Sequence, residues 1–158
     1  MNKHKNDLLQ TVEDLLFNLM PPHVVQNLKE DIPVADVLNN VTLLFAGNYL
    51  RDKKDIVKFT DYSSEREPYQ VVDMLKELFK RMDDTCKSNN VYKVHTIGDC
   101  YVVMSFTGKI PMHERNYADE AKNVVKMGER MIEIIKDVRK MVNFEALNMR
   151  IGIHTVIN

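Results

Sequence analysis

The stretch that decides the fold is VYKVHTIGDCYVVMSF, residues 91–106. It contains two β-rich runs, Val91–Ile97 and Cys100–Phe106, which are joined by the dipeptide Gly98-Asp99. Two strand-like runs separated by two turn residues are typical of a β-hairpin. We therefore predict a hairpin with the carboxylate of Asp99 at its tip.

The segments on either side of this hairpin alternate between strand and helix patterns. Residues 41–46 form a short apolar run suited to a buried strand. Apolar residues recur at helical spacing after the helix-start residues Ser63, Ser64 and Pro68 until Ser88-Asn89-Asn90, and again over 114–142. A final strand is predicted over 149–157. The resulting order, β-α-β-β-α-β, predicts an α+β fold with a ferredoxin-like core.

Two further segments lie outside this core pattern. Residues 1–22 show a narrow apolar seam that ends at two prolines, so we expect an N-terminal linker helix there and the folded domain over 23–158. Such a seam is also compatible with a parallel coiled coil. Gly47–Lys54 ends in four charged residues and is predicted to be a solvated loop.

Composition excludes several classes of protein. The 22 basic and 23 acidic residues nearly balance, so the chain lacks the basic excess that drives binding to nucleic acids. Its two cysteines, Cys86 and Cys100, match neither a disulfide framework nor a zinc-ligand spacing. No apolar run approaches the roughly 20 residues that span a bilayer. A single domain in a reducing compartment is expected.

Two aspartates lie where an apolar strand meets a turn. Asp55 precedes Ile56-Val57-Lys58-Phe59-Thr60, and Asp99 lies at the hairpin tip. Aspartates are also common in turns for local hydrogen-bonding reasons, so each alone can be a simple loop residue. If the two converge, they suit a pair of divalent cations, since Mg²⁺ needs only one or two protein carboxylates beside substrate phosphates.

At these residues the chain resembles the class III nucleotide cyclases, the adenylate and guanylate cyclase catalytic domains. Four segments carry the resemblance in order, and together they cover nearly the whole chain. They are Leu19-Met20-Pro21-Pro22-His23-Val24, Phe45-Ala46 with the later Asp55-Ile56-Val57-Lys58-Phe59-Thr60, Tyr92 to Met104, and Arg150-Ile151-Gly152-Ile153-His154-Thr155.

The resemblance implies a dimeric enzyme with a shared active site, of which this chain is the metal-donating half. It would convert a nucleoside triphosphate, with GTP slightly favoured over ATP, into a 3′,5′-cyclic monophosphate and pyrophosphate with two Mg²⁺ or Mn²⁺ ions. Asp55, Asp99 and the Ile56 carbonyl would hold the ions. The nucleotide would contact residues around Phe59, Thr60, His95 and Gly98. A cytoplasmic location follows, either alone or as the intracellular part of a membrane protein.

Three departures from the family pattern favour an alternative, a noncatalytic cyclase-like module for dimerisation and regulation. The family joins Phe-Ala directly to the aspartate, whereas here Gly47–Lys54 intervene. His95 replaces the usual purine-reading lysine or glutamate. The sequence also stops at Asn158, before a glycine-rich turn and the transition-state residues. We therefore expect an incomplete domain, nearly inactive alone, and hypothesise that the insertion and the ending reflect an altered coding region.

Overall fold

The computed structural model describes residues 22–32, 38–51, 56–58 and 66–157, together with Val12, Leu16, Met20 and Ser63. Most of the predicted N-terminal helix therefore lies outside the described residues. The described residues divide into two compact units, one within 1–38 and 107–115 and the other within 39–106 and 116–158. The first unit contains helix α1 (Pro22–Lys29) and a single 3₁₀ turn (Met112–Glu114).

The second unit contains the sheet and two long helices. In chain order its elements are β1 (Val41–Arg51), β2 (Ile56–Lys58), α2 (Pro68–Ser88), β3 (Tyr92–Ile97), β4 (Cys100–Met104), α3 (Tyr117–Met141) and β5 (Leu147–Val156). All strand pairs are antiparallel, in the order β5-β1-β4-β3, and β2 pairs with the end of β1. The predicted ferredoxin-like order is confirmed.

Both long helices pack on one face of this sheet, because each carries an apolar stripe at three- and four-residue spacing. The α3 helix begins at a cap in which the Asn116 side chain accepts a hydrogen bond from the Asp119 N–H, at 3.2 Å. A Cβ on Gly128 would lie 3.3 Å from the Leu44 side chain, so the glycine lets α3 approach β1 closely. The buried core residues of α2 and α3 are Val71, Met74, Leu78, Met82, Cys86, Val124, Met127, Met131, Ile135 and Val138.

The prediction of a solvated loop over Gly47–Lys54 is wrong for residues 47–51. Strand β1 continues through Arg51 and pairs with β5 as far as Leu50, which lies opposite Leu147. Tyr49–Arg51 also pair with Ile56–Lys58 of β2. Backbone pairing with two neighbouring strands satisfies the N–H and C=O groups here, and tertiary context of this kind overrides weak local strand propensity.

Candidate functional site

The β3–β4 hairpin has the predicted two-residue turn. Ile97 pairs with Cys100, which leaves Gly98 and Asp99 as the turn residues. Gly98 has φ = 59°, and a positive φ at the first turn position is the requirement that glycine meets in type II′ hairpins. The turn places Asp99, which is half-buried, beside strand β1.

Asn48 of β1 holds Asp99 through two hydrogen bonds. The Asn48 backbone N–H donates to the Asp99 carboxylate at Oδ2, over 3.1 Å. The Asn48 side-chain amide Nδ2 donates to the Asp99 backbone carbonyl, also over 3.1 Å. Asn48 is only 4% exposed, and its own Oδ1 finds no hydrogen-bond partner in the described part of the chain. The tip is therefore tied to the central strand.

A groove of about 450 Å³ opens beside Asp99. It lies on the sheet face that the helices leave open, because Leu44 and Ala46 belong to the core and the alternate residues Phe45 and Gly47 point the other way. Gly47 pairs with Cys100 on one side and with Arg150 on the other, so three strands contribute to one row. The lining residues are Phe45, Gly47, Asp99, Cys100, Arg150, Ile151 and Gly152.

The groove contains one acidic and one basic side chain. Desolvation by burial raises the pKa of the Cys100 thiol most. The negative charge of Asp99 raises this pKa further, and the positive charge of Arg150 lowers it. A carboxylate binds hard divalent cations, and a guanidinium binds phosphate oxygens in a bidentate manner. The groove therefore contains one group of the kind that binds a hard cation and one of the kind that binds phosphate.

Behind the groove, Tyr101 connects β4 to helix α2. Its hydroxyl donates to Asp83 and lies 3.4 Å from Cys86 Sγ, and Lys93 Nζ lies 2.8 Å from Asp83. Burial raises the pKa of Tyr101 and raises that of the Cys86 thiol to about 11. This cluster, which we call the Tyr101 cluster (Tyr101, Cys86, Asp83 and Lys93), supports the hairpin from the core side.

Of the other predicted site residues on the β1–β2 side, the structure describes Ile56 alone. Asp55, Phe59 and Thr60 lie outside the described residues. Ile56 begins β2 and pairs with Arg51, three residues beyond Asn48 along β1, which corresponds to about 10 Å at roughly 3.3 Å per residue. The position directly after Phe45 and Ala46, where the family pattern has its aspartate, is occupied by Gly47, which borders the groove.

His95 has a different environment from Asp99. It is exposed in β3, where it pairs with Val102 after an irregularity at Val94. A bulge re-aims the side chains that follow it. Within the described part of the chain, His95 does not line the groove.

Sequence reasoning did not identify Asn48 or Arg150 as site residues. Asn48 was assigned to the predicted loop, and Arg150 only to a strand. Strand alternation gave a usable signal for Arg150, since Arg150 and Gly152 share a face of β5. No comparable signal marks Asn48, because its role depends on a hairpin tip 51 residues away in sequence.

Among the described residues, Asp99 supplies the carboxylate that lines the groove. No group of three or more His, Cys, Asp or Glu side chains with metal-binding geometry occurs among the described residues. A second carboxylate would have to come from a position such as Asp55. None of the helices in the described ranges is both long enough and apolar enough to cross a membrane.

Comparison with known proteins gives a consistent result. The family model described as the adenylate and guanylate cyclase catalytic domain matches residues 34–156. Guanylate cyclase soluble subunit beta-2 of Rattus norvegicus is 35% identical over 144 residues, which are 90% of this chain and 19% of that protein. The chain therefore spans about a fifth of that relative's length.

Two solved structures are similar in both fold and sequence. The non-canonical dimeric guanylyl cyclase domain of the RhoGC fusion protein from Blastocladiella emersonii has a TM-score of 0.60 at 26% identity, over 77% of this chain and 60% of that one. The guanylate cyclase domain of RhGC from Catenaria anguillulae, solved in complex with GTP, has a TM-score of 0.59 at 27% identity, over 77% and 59%. This chain belongs to the adenylate and guanylate cyclase catalytic domain family.

Proposed function

We propose that this domain converts a purine nucleoside triphosphate, GTP in preference to ATP, into a 3′,5′-cyclic monophosphate and pyrophosphate. The observation that supports this proposal best is that one carboxylate, Asp99, and one guanidinium, Arg150, line the same open groove. Family membership supplies the reaction class. The Catenaria anguillulae relative, whose structure contains GTP, supports the choice of substrate.

In this proposal the protein groups bind and orient the triphosphate. Asp99 would hold a divalent cation, Mg²⁺ or Mn²⁺, and Asp55 with the Ile56 carbonyl would complete a two-ion site. Such ions lower the pKa of an attacking hydroxyl and neutralise charge on the leaving phosphates. Arg150 would bind phosphate oxygens, together with backbone N–H groups near Phe59 and Thr60. Gly98 at the hairpin tip would contact the nucleotide. Among the residues that the structure describes, His95 does not line this groove, so a contact between His95 and a purine edge would belong to a separate pocket of the dimer.

The proposed reaction is an intramolecular displacement at phosphorus. The ribose 3′ oxygen attacks the α-phosphorus, the bond from this phosphorus to the oxygen bridging the β-phosphate breaks, and pyrophosphate leaves with that bonding electron pair. The proton of the 3′ hydroxyl passes to solvent. Holding the attacking oxygen in line with the leaving group supplies much of the rate enhancement.

A second cyclase domain is the proposed partner. The open face of the sheet exposes apolar side chains, including Phe45 at 45% and Ile97 at 60%. The Blastocladiella emersonii relative is described as a non-canonical dimer, which supports dimerisation in the family but not this particular interface. We propose that a homo- or heterodimer covers this face and completes the purine pocket. Cys86 and Cys100 are both free, which fits the reducing cytoplasm in which we place the domain.

One observation favours a second candidate function, a noncatalytic module that dimerises and regulates. In the observed register the position that follows Phe45-Ala46 on the groove face is Gly47, which has no carboxylate. Among the described residues, Asp99 is the only carboxylate that lines the groove. A domain held in this register would bind a partner without supporting two-ion chemistry.

The test is a complementation assay. The chain is mixed with a purine-reading cyclase domain, Mn²⁺ and GTP or ATP, and the cyclic nucleotide formed is measured. We expect product that falls by about a thousandfold in Asp99→Ala, because transition-state charge stabilisation of this kind typically contributes 10²–10³ or more. The exposed Asp73 of α2 gives a matched control, Asp73→Ala, with unchanged activity. Equal product from the chain and Asp99→Ala would refute catalysis at this groove.

A further inference from the structure

We propose that Asn48 is a positioning residue that fixes the Asp99 carboxylate for cation binding. This inference rests on the proposed function, in which Asp99 holds a divalent cation. Asn48 lies within the eight residues that interrupt the family pattern, so its role comes from this chain's own structure.

The first argument is the register of the sheet. Regular pairing between β4 and β1 ends at Cys100, which lies opposite Gly47. Asn48 is the next residue of β1, and its N–H donates to a side-chain oxygen of Asp99 where a regular ladder would use a backbone carbonyl. The carboxylate thus takes the place of a strand carbonyl and is held against β1.

The second argument is that Asn48 fixes both parts of Asp99. The backbone N–H holds the carboxylate at Oδ2, and the side-chain Nδ2 holds the main-chain carbonyl. Within the described residues nothing donates to the other carboxylate oxygen, Oδ1, so that atom stays available to a cation. Carboxylates that bind metals are commonly held by hydrogen bonds of this kind, and losing them lowers metal affinity by 10–100-fold.

The third argument is that burying the Asn48 side chain costs free energy. The residue is 4% exposed and its Oδ1 is unpartnered among the described residues. A buried polar atom without a partner is unfavourable, and an apolar side chain of similar volume avoids that penalty. Fold stability therefore does not explain an amide at this position, whereas a hold on Asp99 does.

The experiment separates metal binding from catalysis. The dissociation constant of Mn²⁺ is measured by electron paramagnetic resonance on the full chain, without nucleotide, for the wild type, Asn48→Leu, Asn48→Ser and Asp99→Asn. We expect Asp99→Asn to lose the site. Both Asn48 variants keep the backbone N–H bond to the carboxylate but lose the side-chain bond to the Asp99 carbonyl, so we expect them to bind about tenfold more weakly, at the lower end of the range for such support. Asn148→Leu, on the neighbouring strand β5, is the control and leaves the constant unchanged. The melting temperature of Asn48→Leu is expected to equal or exceed that of the wild type.

The possible failures are distinguishable. Mn²⁺ binding that depends on Asp99 but is unchanged in Asn48→Leu and Asn48→Ser overturns the positioning role and leaves the proposed function intact. Mn²⁺ binding that is equal in the wild type and Asp99→Asn overturns the metal site itself, and with it both proposals. Asn48→Ser, which shortens the side chain with little demand for space, decides the question if the leucine variant folds poorly.

Discussion

Two hairpins border the same side of strand β1, and they are held very differently. The β3–β4 hairpin is fixed at its tip by Asn48 and from the core by the Tyr101 cluster. Within the described ranges, the β1–β2 hairpin is held by the pairing of Tyr49–Arg51 with Ile56–Lys58. The fold therefore fixes one acidic side of the groove, whereas the other side depends on the eight residues 47–54.

The length of that segment matters because strand side chains alternate between faces. Removing 47–54 joins Ala46 directly to Asp55, which then takes the place of Gly47. Asp55 would then lie on the groove face, and Ile56, which lies opposite Arg51 in the present register, would take the place of Asn48. Asp55 and Asp99 would then each contribute one carboxylate to the groove.

The largest effect on activity is expected from deleting residues 47–54, which tests whether this segment keeps Asp55 out of the groove. We expect the deletion variant to make about tenfold more cyclic nucleotide than the parent in the complementation assay. Returning a misplaced catalytic group to the site can restore about a hundredfold, and the loss of the Asn48 amide, which Ile56 replaces, takes back about tenfold. The measurement is initial rate with Mn²⁺ and GTP or ATP.

Its control is the same deletion with Asp55→Ala, which should return to the parent rate or fall below it. No gain on deletion, together with an intact fold by circular dichroism, would favour the noncatalytic module.

The elements that were predicted correctly have local signals. Helices α2 and α3 show apolar spacing within the helix itself, and the β3–β4 turn has its glycine at the position that needs a positive φ. Periodicity and turn chemistry act over a few residues, so one sequence suffices to detect them.

The features that were missed depend on distant pairing. Residues 47–50 are strand because β5, about a hundred residues later, supplies their partners. Asn48 was expected to be solvated and is buried for the same reason. Neither the pairing nor the hold on Asp99 leaves a local pattern, and a polar segment with glycine and charged residues resembles a loop. The metal-ligand role of Asp55 stays a prediction.

A second prediction concerns the Tyr101 cluster that supports the β3–β4 hairpin, whose contribution to stability should depend on pH. Burial raises the pKa of the Cys86 thiol from 9.0 to about 11. Between these values the unfolded chain loses a proton that the folded chain keeps, so the free energy of unfolding falls as pH rises. The fall is at most about 2–3 kcal/mol, at roughly 1.4 kcal/mol per unit.

Urea unfolding at pH 8 and pH 10.5 measures this decline. Cys86→Val removes the buried thiol and should flatten the decline, whereas Cys100→Val, which removes a half-exposed thiol, should flatten it less. Equal slopes in the two variants would mean that the Cys86 thiol does not contribute to the alkaline loss of stability.

The smallest effect on the structure is expected from a substitution that adds one carboxylate to the groove and leaves the strand lengths unchanged. A side chain at Gly47 would enter the groove, where the nearest atom to its Cβ is Arg150 Nε at 3.8 Å, so Gly47→Asp has room. The new carboxylate would lie in the row that contains Cys100, next to Asp99. We expect Mn²⁺ to bind about tenfold more tightly, since the charge count of the ligands sets the affinity for hard cations.

Gly152→Asp is the matched control for this variant. Gly152 of β5 lines the same groove and has open space at its Cβ. It pairs with Phe45 of β1, which lies two residues further than Gly47 from the hairpin tip. A carboxylate there adds the same charge at a greater distance from Asp99, so it should tighten Mn²⁺ binding less. Equal gains from the two substitutions would show that the groove responds to net charge alone, and that the place opposite the β3–β4 hairpin has no special role in holding a cation.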